Sequence, residues 1–290
     1  MILGHIGARK GSKGVVGKNF RPIAGKPLID WSLDQLFRNK NVDAVVISTD
    51  DPEIYEHGLK RGALDIGLRP EKLATDGASK WNVWQHSLDA AEAKLGTVSA
   101  FLDLDCTSPL REDADIDNAL ALFQSQAPDM VMSCCDARKN PYFNLVEVGE
   151  TGSLQVSKPL PGNVVARQQA PTVYEHAAST YVVAPSYLRS AGFLYEGHVI
   201  PYVMPTERCL DIDNALALFH SQAPDMVMSC CDARKNPYFN LVEVGETGSL
   251  QVSKPLPGNV VARQQAPTVY EHAASTYVVA PSYLRSAGFL

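Results

Sequence analysis

The first third of the chain alternates between short apolar runs and longer amphipathic stretches. Three runs are mainly apolar, as strands buried on both faces of a parallel sheet tend to be: 1–6, 44–48 and 98–104. Between them, apolar residues recur at helical spacing in three segments: 27–38, 52–61 and 79–94. This alternation predicts an α/β fold built on a doubly wound, mostly parallel (mixed) sheet.

Finer signals mark the ends and faces of these elements. Asp51 and Pro52 supply an N-cap and a first-turn proline for the helix at 52–61. A further short strand is predicted at Leu64–Leu68. In the helix at 27–38, one face is predicted to carry the apolar residues Ile29, Leu33, Leu36 and Phe37.

The pattern changes beyond the third apolar run. A helix at 115–126 and a strand at 129–134 continue the alternation, but 138–181 is rich in proline, asparagine and aromatic residues. We interpret 138–181 as an inserted lobe of short hairpins. Strands returning to the sheet are predicted at Tyr181–Val183 and Val199–Met204.

A long internal repeat occupies the second half. Residues Asp115–Leu194 recur as Asp211–Leu290, each 96 positions after its twin, with one difference, Gln124 against His220. Such near identity indicates a recent event at the gene level, because the units of an evolved solenoid diverge. We interpret 1–214 as one domain and 215–290 as a duplicated partial segment, whose first residues, to about 222, could replace a lost terminal helix.

The second copy has no glycine-rich basic loop of the kind found near the N-terminus, so it cannot form a second complete site. Its strands could compete with their twins for one place in the sheet, could pair with another subunit, or could remain poorly ordered. The repeat could also promote swapped or larger assemblies.

The composition narrows the class of protein. The formal net charge of −6 argues against a general nucleic-acid binder. Neither a bilayer-spanning apolar run nor a signal peptide is evident, so a cytoplasmic location is expected. The six cysteines fit neither a zinc site nor a disulfide framework, and we interpret them as small buried residues.

The stretch from Gly7 to Asn19 carries the clearest chemical signal. It follows the first predicted strand and contains four glycines and four cationic side chains. Glycines allow backbone N–H groups to approach a polyphosphate, and the cations neutralise its charge. The spacing matches neither the Walker pattern nor the dinucleotide fingerprint. A phosphate-binding loop is predicted, with a solvated basic loop as the alternative.

Two pairs of carboxylates follow predicted strands. Asp211 and Asp213 could present oxygen ligands to Mg²⁺ held with a nucleoside triphosphate. The alternative is that Asp211 caps the following helix and Asp213 lies in its first turn. Asp103 and Asp105 form the second pair, with a merely polar strand end as the alternative.

Several motifs together resemble a known family. They are GARKGSKGV followed by KN, ISTDD after the second strand, RPEKLATD at 69–76, DLDCTSPLR, RQQAP at 167–171 and ERCLDID at 207–213. Over residues 1 to about 214 the chain resembles the CMP-sialic acid synthetases (acylneuraminate cytidylyltransferases). KNPYFNLVEV at 139–148 and LDLD before TSPLR look most like the branch that activates legionaminic acid.

The resemblance implies a fold, a reaction, a cofactor and a homodimer, which the repeat could turn into a swapped or larger assembly. The fold is the nucleotide-diphospho-sugar transferase type, with a dimerisation lobe inserted in the sheet. The partners are CTP and a nine-carbon 2-keto sugar acid, the products are a CMP-sugar and pyrophosphate, and the cofactor is Mg²⁺.

The resemblance also assigns roles to residues of this chain. Nucleotide binding falls to Arg9, Gly11, Ser12, Lys13, Lys18, Asn19, Arg69, Asp76 and Ser79. The sugar acid would face Asp105, Arg167, Gln168 and Tyr181, and Mg²⁺ would bind Asp211 and Asp213. The catalytic residues would be Arg9, Lys13, Lys18 and Asp211, with Asp211 as the candidate base.

Some assignments have alternatives. Arg167 could clamp the sugar carboxylate or form an interface ion pair. Ala177-Ala178-Ser179 departs from the family pattern, in which asparagine commonly precedes Ala-Ser, so sugar recognition is less secure than CTP binding. His5 and His176 are interpreted as packed or solvated. Two other functions stay open: a CTP-binding but catalytically impaired rearrangement product, and a transferase for another nucleotide sugar.

Overall fold

The computed structural model describes residues 1–11, 17–162, 164, 166–209, 241–256 and 270–271. Its helices are α1 (Leu28–Arg38), α2 (Pro52–Lys60), α3 (Lys80–Leu95), α4 (Asp113–Gln126) and α5 (Pro185–Ser190). Its first six strands are β1 (Ile2–Gly7), β2 (Pro22–Ile23), β3 (Lys26–Pro27), β4 (Ala44–Ser48), β5 (Ala100–Leu104) and β6 (Met130–Asp136). The later strands are β7 (Leu145–Val148), β8 (Leu154–Val156), β9 (Tyr174–Val183), β10 (Val199–Val203), β11 (Leu241–Val244), β12 (Leu250–Val252) and β13 (Tyr270–Glu271).

The main sheet has the strand order β10-β6-β9-β5-β1-β4. β1 is parallel to β4 and to β5, and β10 is parallel to β6. β9 is antiparallel to both of its neighbours, β5 and β6. The predicted doubly wound, mostly parallel sheet is therefore confirmed, and the carboxyl ends of β4, β1 and β5 lie side by side at one edge.

Helices cover both faces of the sheet. On one face, α3 and α5 bury Trp84, Leu88 and Leu188 against Leu3 and Phe101. Because successive strand residues point to opposite faces, neighbouring strand positions contribute to the second layer under α1, α2 and α4. The most deeply buried members of that second layer include Ile6, Ile29, Leu33, Leu102 and Leu120.

Two local predictions are wrong. Leu64–Leu68 is not a strand: the Leu64 N–H bonds to the carbonyl of Val45 at 2.7 Å, but the left-handed Gly67 (φ 77°) ends any regular ladder. Phe37 lies at the edge of the apolar face of α1 and keeps 38% of its surface exposed. The strand predicted at Tyr181–Val183 is correct but begins earlier, at Tyr174.

Helix starts follow the capping residues of the sequence. The Asp51 side chain accepts a hydrogen bond from the Glu53 N–H, with Pro52 as the first residue of α2. Ser79 accepts from the Trp81 N–H in the same way and fixes the first turn of α3. The start of α3 borders the site described next.

Candidate nucleotide-binding site

A cleft of about 310 Å³ opens at the carboxyl edge of β1 and β5, beside the start of α3. Ligands of open α/β sheets bind at this edge. The cleft brings together residues from the predicted site and others that the sequence reasoning missed. Its lining is His5, Gly7, Arg9, Arg69, Leu73, Thr75, Asp76, Ala78, Lys80, Val83, Trp84 and Asp105.

Arg9 and Asp76 meet at the mouth of the cleft. Nη1 of Arg9 lies 2.6 Å from Oδ1 of Asp76, and both side chains remain partly exposed. An exposed pair of this kind contributes little to stability, so its guanidinium can be shared with an anionic ligand at small cost.

The basic loop leaves β1 next to this pair. The Lys10 N–H donates to Asp50 Oδ1 at 2.9 Å, which ties the loop to the end of β4. Gly11 is exposed, and Lys18 is half-buried at the far end of the loop. Ser12 and Lys13, which are predicted phosphate-binding residues, lie outside the described residues.

The buried amide of Asn19 links the start of the basic loop to the end of β5. Its Nδ2 donates to the carbonyl of Arg9 at 3.1 Å, and its Oδ1 accepts from Sγ of Cys106 at 3.3 Å. Asn19 is buried, so this amide spans the ends of β1 and β5 without solvent. The structure places Asn19 as the residue that holds the loop, and Arg9 as the one facing the cleft.

Arg69 forms the wall at the end of β4. Its Nε donates to Oγ of Ser48 at 3.0 Å, and its Nη2 donates to the Ser48 carbonyl at 2.5 Å. Burial lowers the pKa of this guanidinium to about 10, although the charges of Asp50 and Asp103 oppose that fall. Arg69 therefore stays cationic at neutral pH and adds positive charge to the cleft wall.

Lys80 is a member of the cleft that the sequence reasoning missed. Its Nζ lies 2.9 Å from Asp103 and 2.6 Å from Asp105, the two carboxylates at the end of β5. Burial disfavours the ammonium, but these two carboxylates outweigh that effect and hold the pKa of Lys80 well above its usual value. A lysine directly after the Ser79 cap was the available signal, but only the fold shows which strand end it faces.

His5 continues this charge network beneath the cleft. The ring is fully buried, with Nδ1 2.5 Å from Asp103 and Nε2 3.1 Å from Oγ of Ser87. Burial lowers the pKa of His5 below its usual value, because it disfavours the charged imidazolium. The hydrogen bond to Asp103 and its negative charge raise the pKa only in part, and the positive charge of Lys80 lowers it further. His5 is a packed histidine, as the sequence reasoning preferred.

Tyr181 lies on the antiparallel strand β9, next to the same cluster. Its ring is 4.2 Å from Nζ of Lys80, and its hydroxyl is 2.7 Å from Nε2 of His176. Tyr181 is only 2% exposed, and Trp84 packs edge-on against it at 5.1 Å. Tyr181 thus supports Lys80 from below, through a cation–π contact.

Arg111, the last residue of TSPLR, is a buried structural residue. Its guanidinium donates to Ser179 on β9 and to Ser32 and Gln35 on α1. Burial lowers the pKa of Arg111 to about 10, so the side chain remains charged. It fixes the loop that carries Asp105 relative to α1 and β9.

The remaining predicted residues lie elsewhere or outside the description. Arg167 and Gln168 are in a single 3₁₀ turn between β8 and β9, where Nη2 of Arg167 donates to the Ala137 carbonyl at 2.7 Å. Neither belongs to the lining of the cleft. Ser79 is the cap of α3, as described above. Asp211 and Asp213 are not among the described residues.

The first copy shows what the Asp-Ile-Asp-Asn segment does there. Asp115, the twin of Asp211, closes a capping box at the start of α4 by accepting from the Glu112 N–H at 2.9 Å. It also accepts from Tyr202 and Arg208, each at 2.9 Å. In the part of the chain that the structure describes, no group of three or more His, Cys, Asp or Glu side chains could hold a metal ion.

Cys106, Cys134 and Cys135 are buried and Cys209 is partly exposed, and none of these four described cysteines is in a disulfide. Burial raises the pKa of Cys106 to about 12, so its thiol stays protonated at neutral pH. Within the described residues, no helix is both long and apolar enough to cross a membrane.

A mixed, doubly wound sheet with a cationic cleft at its carboxyl edge defines an α/β nucleotide-binding protein. Comparison with known proteins narrows this class. The sequence pattern of the family described as "Cytidylyltransferase" matches residues 4–236. The chain belongs to the cytidylyltransferase family and is a nucleotidyltransferase.

Curated relatives agree with this assignment. The chain is 36% identical over 216 residues to the CMP-N,N'-diacetyllegionaminic acid synthase of Campylobacter jejuni, covering 74% of this chain and 91% of that protein. It is 35% identical, with the same coverage, to the post-translational flagellin modification protein B of Campylobacter coli. The resemblance stated from the motifs is thereby confirmed.

A solved structure shares the fold. CMP:2-keto-3-deoxy-manno-octonic acid synthetase, determined in complex with CTP, superposes with a TM-score of 0.51 at 17% identity. The match covers 76% of this chain and 97% of that one. At this identity the likeness supports the nucleotide-diphospho-sugar transferase fold alone.

Proposed function

We propose that the protein transfers CMP from CTP to the anomeric hydroxyl of a nonulosonic acid of the legionaminic or sialic type, releasing pyrophosphate. The observation that carries the proposal is the cleft in which Arg9, Arg69 and Asp76 meet, in a chain of the cytidylyltransferase family. The substrate class is supported by the name of the 36% identical relative, a CMP-N,N'-diacetyllegionaminic acid synthase.

One side of the cleft is suited to a nucleobase, and another side is suited to phosphates. Its wall next to α3 carries Leu73, Ala78 and Val83, which offer apolar surface to a pyrimidine ring. Arg9 at the mouth, with the loop that contains Ser12 and Lys13, would hold the triphosphate. In this arrangement Asp76 exchanges its ion pair with Arg9 for a contact with the nucleotide.

The reaction needs little covalent work from the protein. The anomeric oxygen forms a bond to the α-phosphorus of CTP, the bond from that phosphorus to the bridging oxygen breaks, and pyrophosphate carries away the electron pair. Lys13 and Lys18 would stabilise the leaving pyrophosphate, and Arg9 would hold the triphosphate in line. The hydroxyl proton passes to solvent or to a base, for which Asp211 is the candidate.

Mg²⁺ belongs to the proposal through Asp211 and Asp213. Carboxylate oxygens are the hard ligands this ion prefers, and we assign it to Asp211 and Asp213 because Asp103 and Asp105 are already engaged in ion pairs with Lys80. Bound magnesium would supply charge neutralisation at the phosphates and lower the pKa of a coordinated hydroxyl.

The sugar acid is proposed to approach from the side of Asp105. This carboxylate is partly exposed and held by Lys80, so it can accept hydrogen bonds from sugar hydroxyl groups without leaving its position. Tyr181 fixes Lys80 from below. Arg167, in the lobe, is the candidate for the sugar carboxylate, and Gln168 follows it in the same turn.

A pyrophosphate-release assay with CTP, Mg²⁺ and legionaminic acid tests the proposal. The full chain should form the CMP-sugar, and Arg9→Ala and Lys13→Ala should each lower kcat/KM by about 100-fold or more. Arg21→Ala, which removes an exposed cation outside the cleft, is the matched control and should retain activity. Absence of any CMP-sugar with legionaminic and sialic acids would contradict the proposal.

Two alternatives are separated by companion measurements. A rearrangement product that binds nucleotide without turnover would give a calorimetric CTP signal, weakened by Arg9→Ala, but no pyrophosphate. A transferase for another nucleotide sugar would prefer a different triphosphate in a panel of CTP, UTP, ATP and GTP. The repeat, which adds a second lobe to the chain, is the observation that favours the first alternative.

A further inference from the structure

The two copies of the repeat exchange strand pairings with each other. β11, in the second copy, is antiparallel to β9 of the first copy, with Leu241 opposite Glu175. β13, also in the second copy, is antiparallel to β7 of the first, with Glu271 opposite Leu145. Leu241 is the twin of Leu145, and Glu271 is the twin of Glu175, because each lies 96 positions further along. The two ladders are therefore one contact, made twice with the copies interchanged.

Charged side chains repeat the same exchange. Lys158 of the first copy forms an ion pair with Glu243 of the second. Lys254, the twin of Lys158, lies 2.8 Å from Glu147, the twin of Glu243. In each ion pair, a lysine of one copy contacts a glutamate of the other, and interchanging the copies turns one pair into the other. This relation is that of a two-fold interface between identical surfaces.

An apolar cluster lies between the β7–β8 hairpin of the first copy and the β11–β12 hairpin of the second. Leu145 and its twin Leu241 are both fully buried in it, together with Tyr142 and Val173. Leu160 and its twin Leu256 are partly buried and pack against the same cluster. The four leucines of this contact thus form two twin pairs, as its charged residues do.

Glu243 shows that the contact is specific. The residue is only 8% exposed, and its Oε2 accepts from the Tyr142 hydroxyl at 2.6 Å while Oε1 faces Lys158. A buried carboxylate is costly unless it is paired and hydrogen-bonded. Lys158 and Tyr142 both belong to the first copy, whereas the second hairpin itself offers only Gln251, whose Nε2 lies 3.5 Å from Oε1. The charge of Glu243 is therefore paired through the docked position.

We propose that the hairpin Leu241–Val252 occupies, within the same chain, a self-complementary docking surface on the first lobe, so that the repeat acts as a built-in partner. The surface is formed by β7, the start of β9 and the apolar cluster between them. Within the described residues, the chain closes this two-fold contact on itself, so that the second hairpin covers the lobe surface that another molecule would use. The inference is independent of the CTP chemistry.

Cysteine cross-linking in the full chain tests the proposal. Val242 is paired with Tyr174 across the β11–β9 ladder, so Tyr174→Cys with Val242→Cys places two thiols at facing backbone positions. Mild oxidation should give an internally linked chain that migrates faster on a non-reducing gel. Its yield should not change over a 100-fold range of protein concentration. Each single substitution alone is the control for the native cysteines.

A covalent dimer as the main product would overturn the proposal, because it would place the hairpin on another molecule. Formation of neither the internal link nor a covalent dimer would overturn it as well.

Charge variants make the test specific. Glu243→Lys should lower the yield of the internal link at least fivefold, and adding Lys158→Glu should restore it, since the pair is then exchanged. Glu246→Lys, at an exposed position of the same hairpin, should leave the yield unchanged. Equal yields from Glu243→Lys and Glu246→Lys would contradict the docked position of Glu243.

Discussion

Nζ of Lys80 lies 2.6 Å from a carboxylate oxygen of Asp105, although one residue begins a helix and the other follows a strand 25 positions later. The same ammonium reaches Asp103, whose side chain is only 1% exposed. Lys80 therefore joins α3 to the end of β5 at the wall of the cleft. Stability and substrate binding should both depend on this junction.

Replacing Lys80 with methionine should destabilise the protein by about 2 to 3 kcal/mol. Loss of one partner leaves a buried carboxylate uncompensated, a change that costs several kcal/mol when both partners are buried and less here because Lys80 is partly exposed. Urea denaturation measures the change. Lys72→Met, at an exposed position, is the control and should shift the free energy of unfolding by less than about 0.5 kcal/mol. A Lys80→Met protein as stable as the parent would contradict the role of Lys80 in joining α3 to the end of β5.

Asp103→Asn should change how stability depends on acid. Burial would raise the pKa of Asp103, but Lys80 and the hydrogen bond from His5 outweigh it and hold the pKa at about 2, against 3.8 for the unfolded chain. A depressed pKa stabilises the folded state above pH 3.8, and that contribution disappears as pH falls towards 2. The carboxylate should thus contribute about 2 kcal/mol at neutral pH.

Thermal unfolding at a series of pH values tests this expectation. The difference in stability between the parent and Asp103→Asn should be largest above pH 4 and should shrink between pH 4 and pH 2, the window set by the two pKa values. Asp89→Asn, at an exposed position, is the control. A difference that stays constant through this window would show that Asp103 is not held ionised.

Arg69→Lys should weaken CTP binding by about tenfold while keeping the charge. A lysine ammonium cannot reproduce the planar fork that engages the Ser48 hydroxyl and carbonyl together, so the cation at the wall of the cleft loses its fixed position. Isothermal calorimetry with CTP gives the dissociation constant. Ser48→Ala removes only one of the two acceptors and should cost less. Equal affinities for Arg69→Lys and the parent would rule out a role for the fork.

Gly58→Ala should destabilise the protein in spite of alanine's higher helix propensity. A methyl group at Gly58 in α2 would lie 2.3 Å from Cδ1 and 3.2 Å from Cγ1 of Ile47. Overpacking of this kind costs about 1 to 3 kcal/mol, more than the gain of about 1 kcal/mol from propensity. Ile47→Val removes the closest atom and should recover part of the loss. If the double variant is no more stable than Gly58→Ala, the collision is not the cause.

Much of the fold could be predicted from local patterns. The bounds of β4, and those of α1, α2 and α3 to within a residue or two, follow from apolar periodicity and from caps such as Asp51 and Ser79. Leu64–Leu68 failed because an apolar run says nothing about whether a neighbouring strand is available to complete a ladder. The start of β9 was predicted seven residues too late, because its first residues are largely polar and so gave no apolar pattern. They are nevertheless in a strand, since β6 is available to pair with them.

By itself, the sequence determined the class of sheet, the basic loop, the family motifs and the near-identical repeat, because each of these is written in residue types at fixed spacing. Only the tertiary structure decided that Lys80 faces Asp103 and Asp105, and that Arg69 binds Ser48. It also decided that the second hairpin lies on the first lobe. These contacts join residues from 21 to 107 positions apart, and the distance between such residues is set by the packing of whole elements.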